Sequence, residues 1–240
     1  EFKMRIDDVL IQYGAVKKSD IKRVLRENRV SVNNQLITAR NEQVDSSIHH
    51  LTLDGRQINF PPHRYFMVNK AMRTLSANKD AELPVVFDAF PDTIDKAGLY
   101  IIGRLDFLSQ GLLLITDNGK LGRNLIKPEA HVEKVYQVEV KEPLESDDVR
   151  KFRAGLVIDG DVSLAPAQLV ILSDHTAIVS ISEGKNRQIR KMFLSVGKLV
   201  TKLVRTQIGP IQLDDSLKPG DYRALTKSEI LSLAPYFKAN

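Results

Sequence analysis

Arg104 and Asp106 stand two residues apart in Gly103-Arg104-Leu105-Asp106, between the apolar pair Ile101-Ile102 and the run Gly111-Leu112-Leu113-Leu114-Ile115-Thr116. Runs of this kind read as buried strands, so the segment predicts a glycine-bounded loop between two of them. A carboxylate fixed at the end of rigid strands can act as a nucleophile or balance positive charge developing on a substrate. The same residues also describe a plain strand-loop-strand hairpin whose acid only caps the loop.

Two further segments carry groups that chemistry could use. Glu133-Lys134-Val135-Tyr136 opens a stretch of period-two alternation running to Val140, which predicts a strand. A tyrosine there is ordinarily half-buried in a core. Glu183-Gly184-Lys185-Asn186-Arg187-Gln188-Ile189-Arg190-Lys191-Met192-Phe193 reads as the start of a basic amphipathic helix, for which phosphate binding is the default use. This run belongs to one of two basic islands. Residues 15–30 hold six Lys/Arg against two Asp/Glu and residues 185–205 hold seven against none, +11 together in a chain of net charge +5. The remainder therefore carries −6. Two positive islands on an acidic background suggest two places where a polyanion such as nucleic acid lies down, with solvated helix faces as the plainer alternative.

The elements that must position these groups fall into two parts. In residues 4–40, Ile6, Val9, Leu10 and Tyr13 recur at helical spacing up to Gly14, and Ser19 is placed to cap a second helix carrying Ile21, Val24 and Leu25. Lys18, Lys22, Arg26 and Arg29 line the exposed side of that helix, and Val30-Ser31-Val32, Asn33-Asn34, Leu36-Ile37 reads as a hairpin. A polar stretch from Glu42 ends in Pro61-Pro62, which sets a boundary between a first domain, residues 1–60, and a second, residues 61–240. Beyond it, strands at Tyr65–Lys70, Leu112–Thr116, Val135–Val140, Ala167–Leu172, Ala177–Ser182 and Leu199–Leu213 alternate with helices near Val149–Arg153, Arg187–Val196 and Leu225–Leu233. Thr226 with Glu229 makes a capping box, and Asp117-Asn118-Gly119 reads as a turn. The class is α+β with a mostly antiparallel sheet.

Composition narrows the functional classes. The 240 residues, 42% hydrophobic, can form a sizeable core in one or two domains. With no cysteine, disulfides and thiolate metal sites are excluded, which fits a reducing cytosol, and the five histidines show no ligand spacing. No apolar run reaches the roughly 18 residues of a membrane helix and no leader opens the chain, so the expectation is a cytoplasmic protein with no membrane partner.

The three motifs together resemble those of the RNA pseudouridine synthases: Gly103-Arg104-Leu105-Asp106 followed by Gly111-Leu112-Leu113-Leu114 and Thr116-Asp117-Asn118-Gly119, then Lys134-Val135-Tyr136, then Glu183 to Met192. The likeness implies isomerisation of uridine to pseudouridine in RNA without redox change and without cofactor or metal. It implies Asp106 as the catalytic carboxylate, Tyr136 stacked on the uracil and engaged in the C5 proton transfer, Ile189 beneath the base, and Arg190 paired with Asp106. Arg104 would fill the space of an extruded nucleotide, with a plain phosphate contact as its alternative, and Lys185, Arg187 and Lys191 would hold phosphates. Where the family usually has Lys-Pro-x-Gly after the first strand, this chain has Lys70-Ala71-Met72-Arg73, keeping the lysine as a substrate-side group but not the residues that shape the turn. The first domain resembles the S4-type RNA-binding domain. The segment from Ile208 to Asp214, with Pro219 to Thr226 after it, resembles the subgroup acting on small-subunit ribosomal RNA, implying that RNA or an assembly intermediate as partner and a monomeric enzyme. Large-subunit RNA is the alternative substrate. A non-catalytic RNA-binding protein and an N-glycoside hydrolase compete from other classes, the latter lacking the second carboxylate that hydrolysis calls for.

Overall fold

The structure, a computed structural model, describes residues 5–237. Helix α1 (Ile6–Tyr13) turns Ile6, Val9 and Leu10 toward Ile21, Val24 and Leu25 of α2 (Ile21–Arg26), and α1 stops where the Gly14 N–H bonds the Leu10 carbonyl at 3.0 Å. Ser19 does not cap α2. The chain enters that helix through a 3₁₀ turn, Lys18–Asp20, and Asp20 at the cap position makes no side-chain cap bond. Arg29 lies beyond the helix end. Strands β1 (Val30–Val32) and β2 (Gln35–Leu36) form the expected hairpin, with Asn33 and Asn34 at φ 49° and 65°, as a two-residue turn between right-twisted strands requires. The stretch read as polar linker supplies β3 (Leu51–Leu53) and β4 (Arg56–Gln57), which complete a sheet ordered β2-β1-β3-β4. Residues from Ile6 to Phe60 close around one apolar core.

The rest of the chain builds a nine-stranded sheet. Its strands are β5 (Tyr65–Lys70), β6 (Tyr100–Ile102), β7 (Gln110–Thr116), β8 (Lys134–Val140), and, past a short hairpin of β9 (Val157–Ile158) and β10 (Val162–Ser163), β11 (Gln168–Ser173), β12 (Thr176–Ile181), β13 (Val200–Ile208), β14 (Ile211–Gln212) and β15 (Tyr222–Ala224). The order is β11-β12-β8-β13-β7-β5-β15, with β14 on β13 and β6 on β7. Every pairing is antiparallel except that of β13 with β7. Strands β5 and β7 are apolar without alternation because both faces of the sheet are covered. Phe66, Val68, Leu113 and Ile115 enter one core, while Tyr65, Met67, Leu112 and Leu114 enter another.

Four helices pack on this sheet: α3 (Gly119–Ile126), α4 (Ser146–Ala154), α5 (Gln188–Ser195) and α6 (Lys227–Ser232). The expected turn at Asp117-Asn118-Gly119 is the start of α3, where the Asn118 side chain accepts the Leu121 N–H at 3.1 Å. Two glycines in the first four residues of α3 hide its helical pattern from the sequence. The capping box of α6 forms as expected, Thr226 accepting from the Glu229 N–H and Glu229 from the Thr226 N–H. Among the described residues no helix is long and apolar enough to cross a membrane.

The parallel junction of β7 and β13 requires Gly111. Its φ is 107°, and a Cβ there would stand 2.2 Å from the Arg205 carbonyl oxygen and 2.7 Å from the Arg205 nitrogen. Backbone atoms cannot yield as a side-chain tip can, so Gly111→Ala adds dihedral strain to a forced parting of two central strands. The expected cost exceeds about 2 kcal/mol, a fall in Tm of several degrees that thermal unfolding would register. An unchanged Tm would contradict this account of the junction.

Candidate active site

A cleft of about 170 Å³ opens where these two strands meet, lined by the 103–106 and 184–189 segments together with Ser109, Ile126, Lys134, Tyr136, Ile181, Leu203 and Arg205. Asp106 is the only carboxylate of the described residues in this lining. It is half-buried, and its side chain takes no hydrogen bond or ion pair from the described residues. The loop that carries it, from Gly103 to Ser109, is held almost wholly by its carbonyl groups. Arg205 donates to the Gly103 and Leu112 carbonyls at 3.0 and 2.9 Å, Ser76 Oγ to the Leu105 carbonyl at 2.7 Å, and the Arg73 N–H to the Phe107 carbonyl at 2.8 Å. Arg190 donates to the Leu108 carbonyl at 3.2 Å and to Ser109 Oγ at 3.4 Å.

Lys70 completes that set from beneath. Only 1% exposed, its ammonium donates to the carbonyls of Ala71, Ser109 and Phe107 at 2.9, 2.7 and 3.4 Å. Burial pushes its pKa down to about 8, against the pull of the Asp106 charge. Lys70 is therefore absent from the cleft lining, contrary to the expectation that it meets substrate, and it fastens the Asp106 loop instead. Three residues on, Arg73 adopts φ 58°, the left-handed conformation for which the usual glycine at this position is suited.

Arg190 differs from expectation in a similar way. No ion pair joins it to Asp106 within 4.0 Å; its guanidinium reaches the loop's backbone, and Asp106 acts on it through space, partly offsetting the lowering of its pKa by burial. Tyr136 and Ile189 both lie in the cleft wall and are 7% and 4% exposed. The Tyr136 hydroxyl finds no partner among the described residues, and no buried polar side-chain atom of those residues lacks one, so the hydroxyl is the part of Tyr136 open to the cleft.

The expected phosphate ligands divide. Arg104 and Arg187 are exposed at the rim without a partner among the described residues. Lys191 pairs with Asp159 at 2.6 Å, and Lys185 lies 3.6 Å from Glu183 while donating to the Ser163 carbonyl at 3.1 Å. Glu183 also accepts from the Ala165 N–H and from Gln188, so its carboxylate is engaged in fixing the loop. In the first unit, Lys18, Lys22 and Arg26 are exposed, whereas Arg29 is held by Asp54 at 2.7 Å and Glu27 at 3.4 Å. Sequence reasoning passed over Ser109, Lys134 and Arg205. Arg205 becomes visible as a site residue only once β13 is known to run beside β7.

A second, larger cleft of about 770 Å³ lies between the first unit and α3, lined by Arg5, Lys18 and Arg40 with Asp7 and Asp8 on one side and by Tyr100, Lys120 and Arg123 with Asp117 on the other. Helix α3 contributes Arg123 to this cleft and Ile126 to the first, so the two are neighbours on one surface.

Likeness to known proteins gives this fold and its carboxylate-bearing cleft their class, that of an RNA-modifying isomerase. Residues 64–195 match a family model described as RNA pseudouridylate synthase, so the chain belongs to that family, whose members turn uridine into pseudouridine within RNA. The chain is 35% identical over 236 residues to the ribosomal small subunit pseudouridine synthase A of Yersinia pestis, covering 97% of this chain and 100% of that one. It is 32% identical to an uncharacterized RNA pseudouridine synthase of Bacillus subtilis, YtzG, over 95% and 97% of the two chains. A crystal structure of a pseudouridylate synthase, 30% identical, matches it with a TM-score of 0.68 over 96% of this chain and 100% of that one.

Proposed function

We propose that this chain isomerises one uridine of small-subunit ribosomal RNA, with Asp106 as the reacting carboxylate. The observation that carries the reading is that Asp106, its side chain bonded to none of the described residues, is the sole carboxylate among them in a cleft it shares with Tyr136 and Ile189. The bond from ribose C1′ to N1 breaks, the ring turns, and C1′ joins C5. Asp106 meets the electron-poor sugar or base, the Tyr136 hydroxyl serves the C5 proton transfer, and Ile189 packs under the ring. Arg190 acts by fixing the 108–109 backbone beside Asp106. Arg104 and Arg187 take phosphates first. Lys185 and Lys191 can follow, since an exposed ion pair is worth about 0–1 kcal/mol and a phosphate can displace it. No step calls for a cofactor.

Residues 1–60 form an S4-type RNA-binding domain and 61–240 the catalytic domain in this reading, supported by the separate apolar core of residues 6–60. Lys18, Lys22 and Arg26 offer phosphate contacts, and the second cleft continues the path past Arg40, Lys120 and Arg123 to the reacting base. Arg29 keeps a structural part. Replacing Arg40 and Arg123 together by alanine is expected to weaken RNA binding for every sequence and to reduce the log-log salt slope by about 1 per charge removed. An unchanged slope would take the RNA elsewhere. The enzyme works as a monomer in the cytoplasm, where ribosomal RNA is available to it.

The reading is tested by mapping pseudouridine on small- and large-subunit ribosomal RNA, as transcripts and as assembly intermediates, after incubation with the protein. One new site on small-subunit RNA is expected. A site on large-subunit RNA would overturn the substrate, and tight binding without any site would favour a non-catalytic RNA-binding protein.

A further inference from the structure

We infer that the floor of the catalytic cleft, formed by Arg205 and Lys134, is a seat for the uracil ring as an anion, detached from its sugar. The inference rests on the proposed reaction and adds to it a group that stabilises charge on the base. Arg205 is only 3% exposed yet lines the cleft. Its Nε and one Nη are tied to the Leu112 and Gly103 carbonyls, which fixes the plane of the guanidinium. The other Nη has no partner among the described residues. Since no buried polar side-chain atom of the described residues is unpartnered, that nitrogen opens into the cleft. Lys134 donates to the Val132 and Glu183 carbonyls at 3.0 and 3.3 Å, which leaves one of its three N–H groups unspent.

Strand register places both cations beside Tyr136 in the cleft. Arg205 of β13 is the cross-strand partner of Tyr136 on β8, and Lys134 lies two residues from Tyr136 on the same strand, hence on the same face. Neither cation has a carboxylate within 4.0 Å among the described residues. Burial, helped by the charge of Arg205, already lowers the Lys134 pKa. Two partly desolvated, like-charged groups without a counterion are costly unless an anion arrives between them.

The reaction produces one. When C1′–N1 breaks, the bonding pair leaves with the base, giving a uracil anion with charge spread over N1, O2 and O4, while Asp106 balances the sugar. After the ring turns, C5 supplies the pair that forms the new bond to C1′, the C5 proton departs, and N1 ends protonated, so no proton is gained or lost overall. A fixed guanidinium and ammonium favour the charge on the oxygens without reorganising, as oxyanion-binding donors do. Phosphate presents the same chemistry, so the test must separate the two.

The probes are 5-nitrouracil, largely anionic at neutral pH, and uracil, neutral there, titrated into the protein by calorimetry. The anion should bind at least about tenfold more tightly, as charged hydrogen bonds of this kind allow. The preference should vanish in Arg205→Gln and shrink in Lys134→Met. The second variant carries the test if the first, buried one fails to fold. Both should lower kcat, by roughly 10–100-fold, more than they raise KM, and Arg205→Lys should recover part of the anion preference. Equal affinity for the two probes in the wild-type protein would overturn the seat. So would inorganic phosphate that displaces 5-nitrouracil at equal concentration. These binding results do not depend on turnover, so pseudouridine formation without anion preference defeats this inference alone.

Discussion

Asp106→Asn should abolish pseudouridine formation, by roughly 10⁴-fold or more, as loss of the reacting group does in enzymes that depend on a single nucleophile. RNA affinity should stay within about twofold. Both halves follow from the site. The amide keeps the shape of the carboxylate but neither its nucleophilicity nor its charge. Because the Asp106 side chain holds no hydrogen bond or ion pair of the fold, its replacement breaks no bond of the loop and removes only the through-space pull of its charge on Lys70 and Arg190. The turn there is closed by the Ser109 N–H on the Asp106 backbone carbonyl at 2.9 Å, which the variant retains. Deleting a negative charge beside Arg104 and Arg187 can only make the cleft more attractive to phosphate. Single-turnover assays with filter binding and thermal unfolding would check this. A Tm lower by more than a few degrees, or a large loss of affinity, would mean that Asp106 is part of the framework.

What the sequence made legible here depended on whether the relevant contacts were local. The Thr226 capping box, the Asn33-Asn34 hairpin and the helical faces of α1 and α2 each involve residues a few positions apart, and all were readable. The grouping of Asp106, Tyr136 and Ile189 was readable only through the family likeness, since 83 residues separate Asp106 from Ile189 and no periodicity links them. Charges were the poorest guide. Lys70 is drawn into the protein by carbonyls, and Arg29 and Lys191 are held at the surface by Asp54 and Asp159, whose proximity is set by tertiary structure. Arg205 was missed for the converse reason: in sequence it is one more cation of a basic island. Its burial follows from the one parallel pairing in the sheet, where Gly111 lets β13 approach the strand that follows the Asp106 loop.

Lys70 gives the second large effect. Lys70→Met should lower turnover by about 100-fold, the scale associated with a displacement of reacting groups of about 1 Å, with RNA affinity nearly unchanged because Lys70 does not line the cleft. Methionine matches the length of the stem but leaves the carbonyls of Ala71 and Ser109 without their donor, a loss offset in part because no ammonium need then be buried. The pH dependence separates this positioning role from plain packing. The folded pKa of about 8 lies below the ordinary 10.5, so between these values the unfolded chain binds more protons than the folded one. Stability therefore rises with pH across that window, by on the order of 3 kcal/mol in all, relative to Lys70→Met, which lacks the titration. Turnover should move the opposite way. Above about pH 8 the neutral amine has two N–H groups for three carbonyls, the loop loosens, and the single-turnover rate falls. A wild-type rate that declines through pH 8 while its stability advantage over Lys70→Met grows is the expected pair of results. If both proteins showed the same alkaline decline, the decline would belong to the RNA or to another residue, and Lys70 would be a packing residue only.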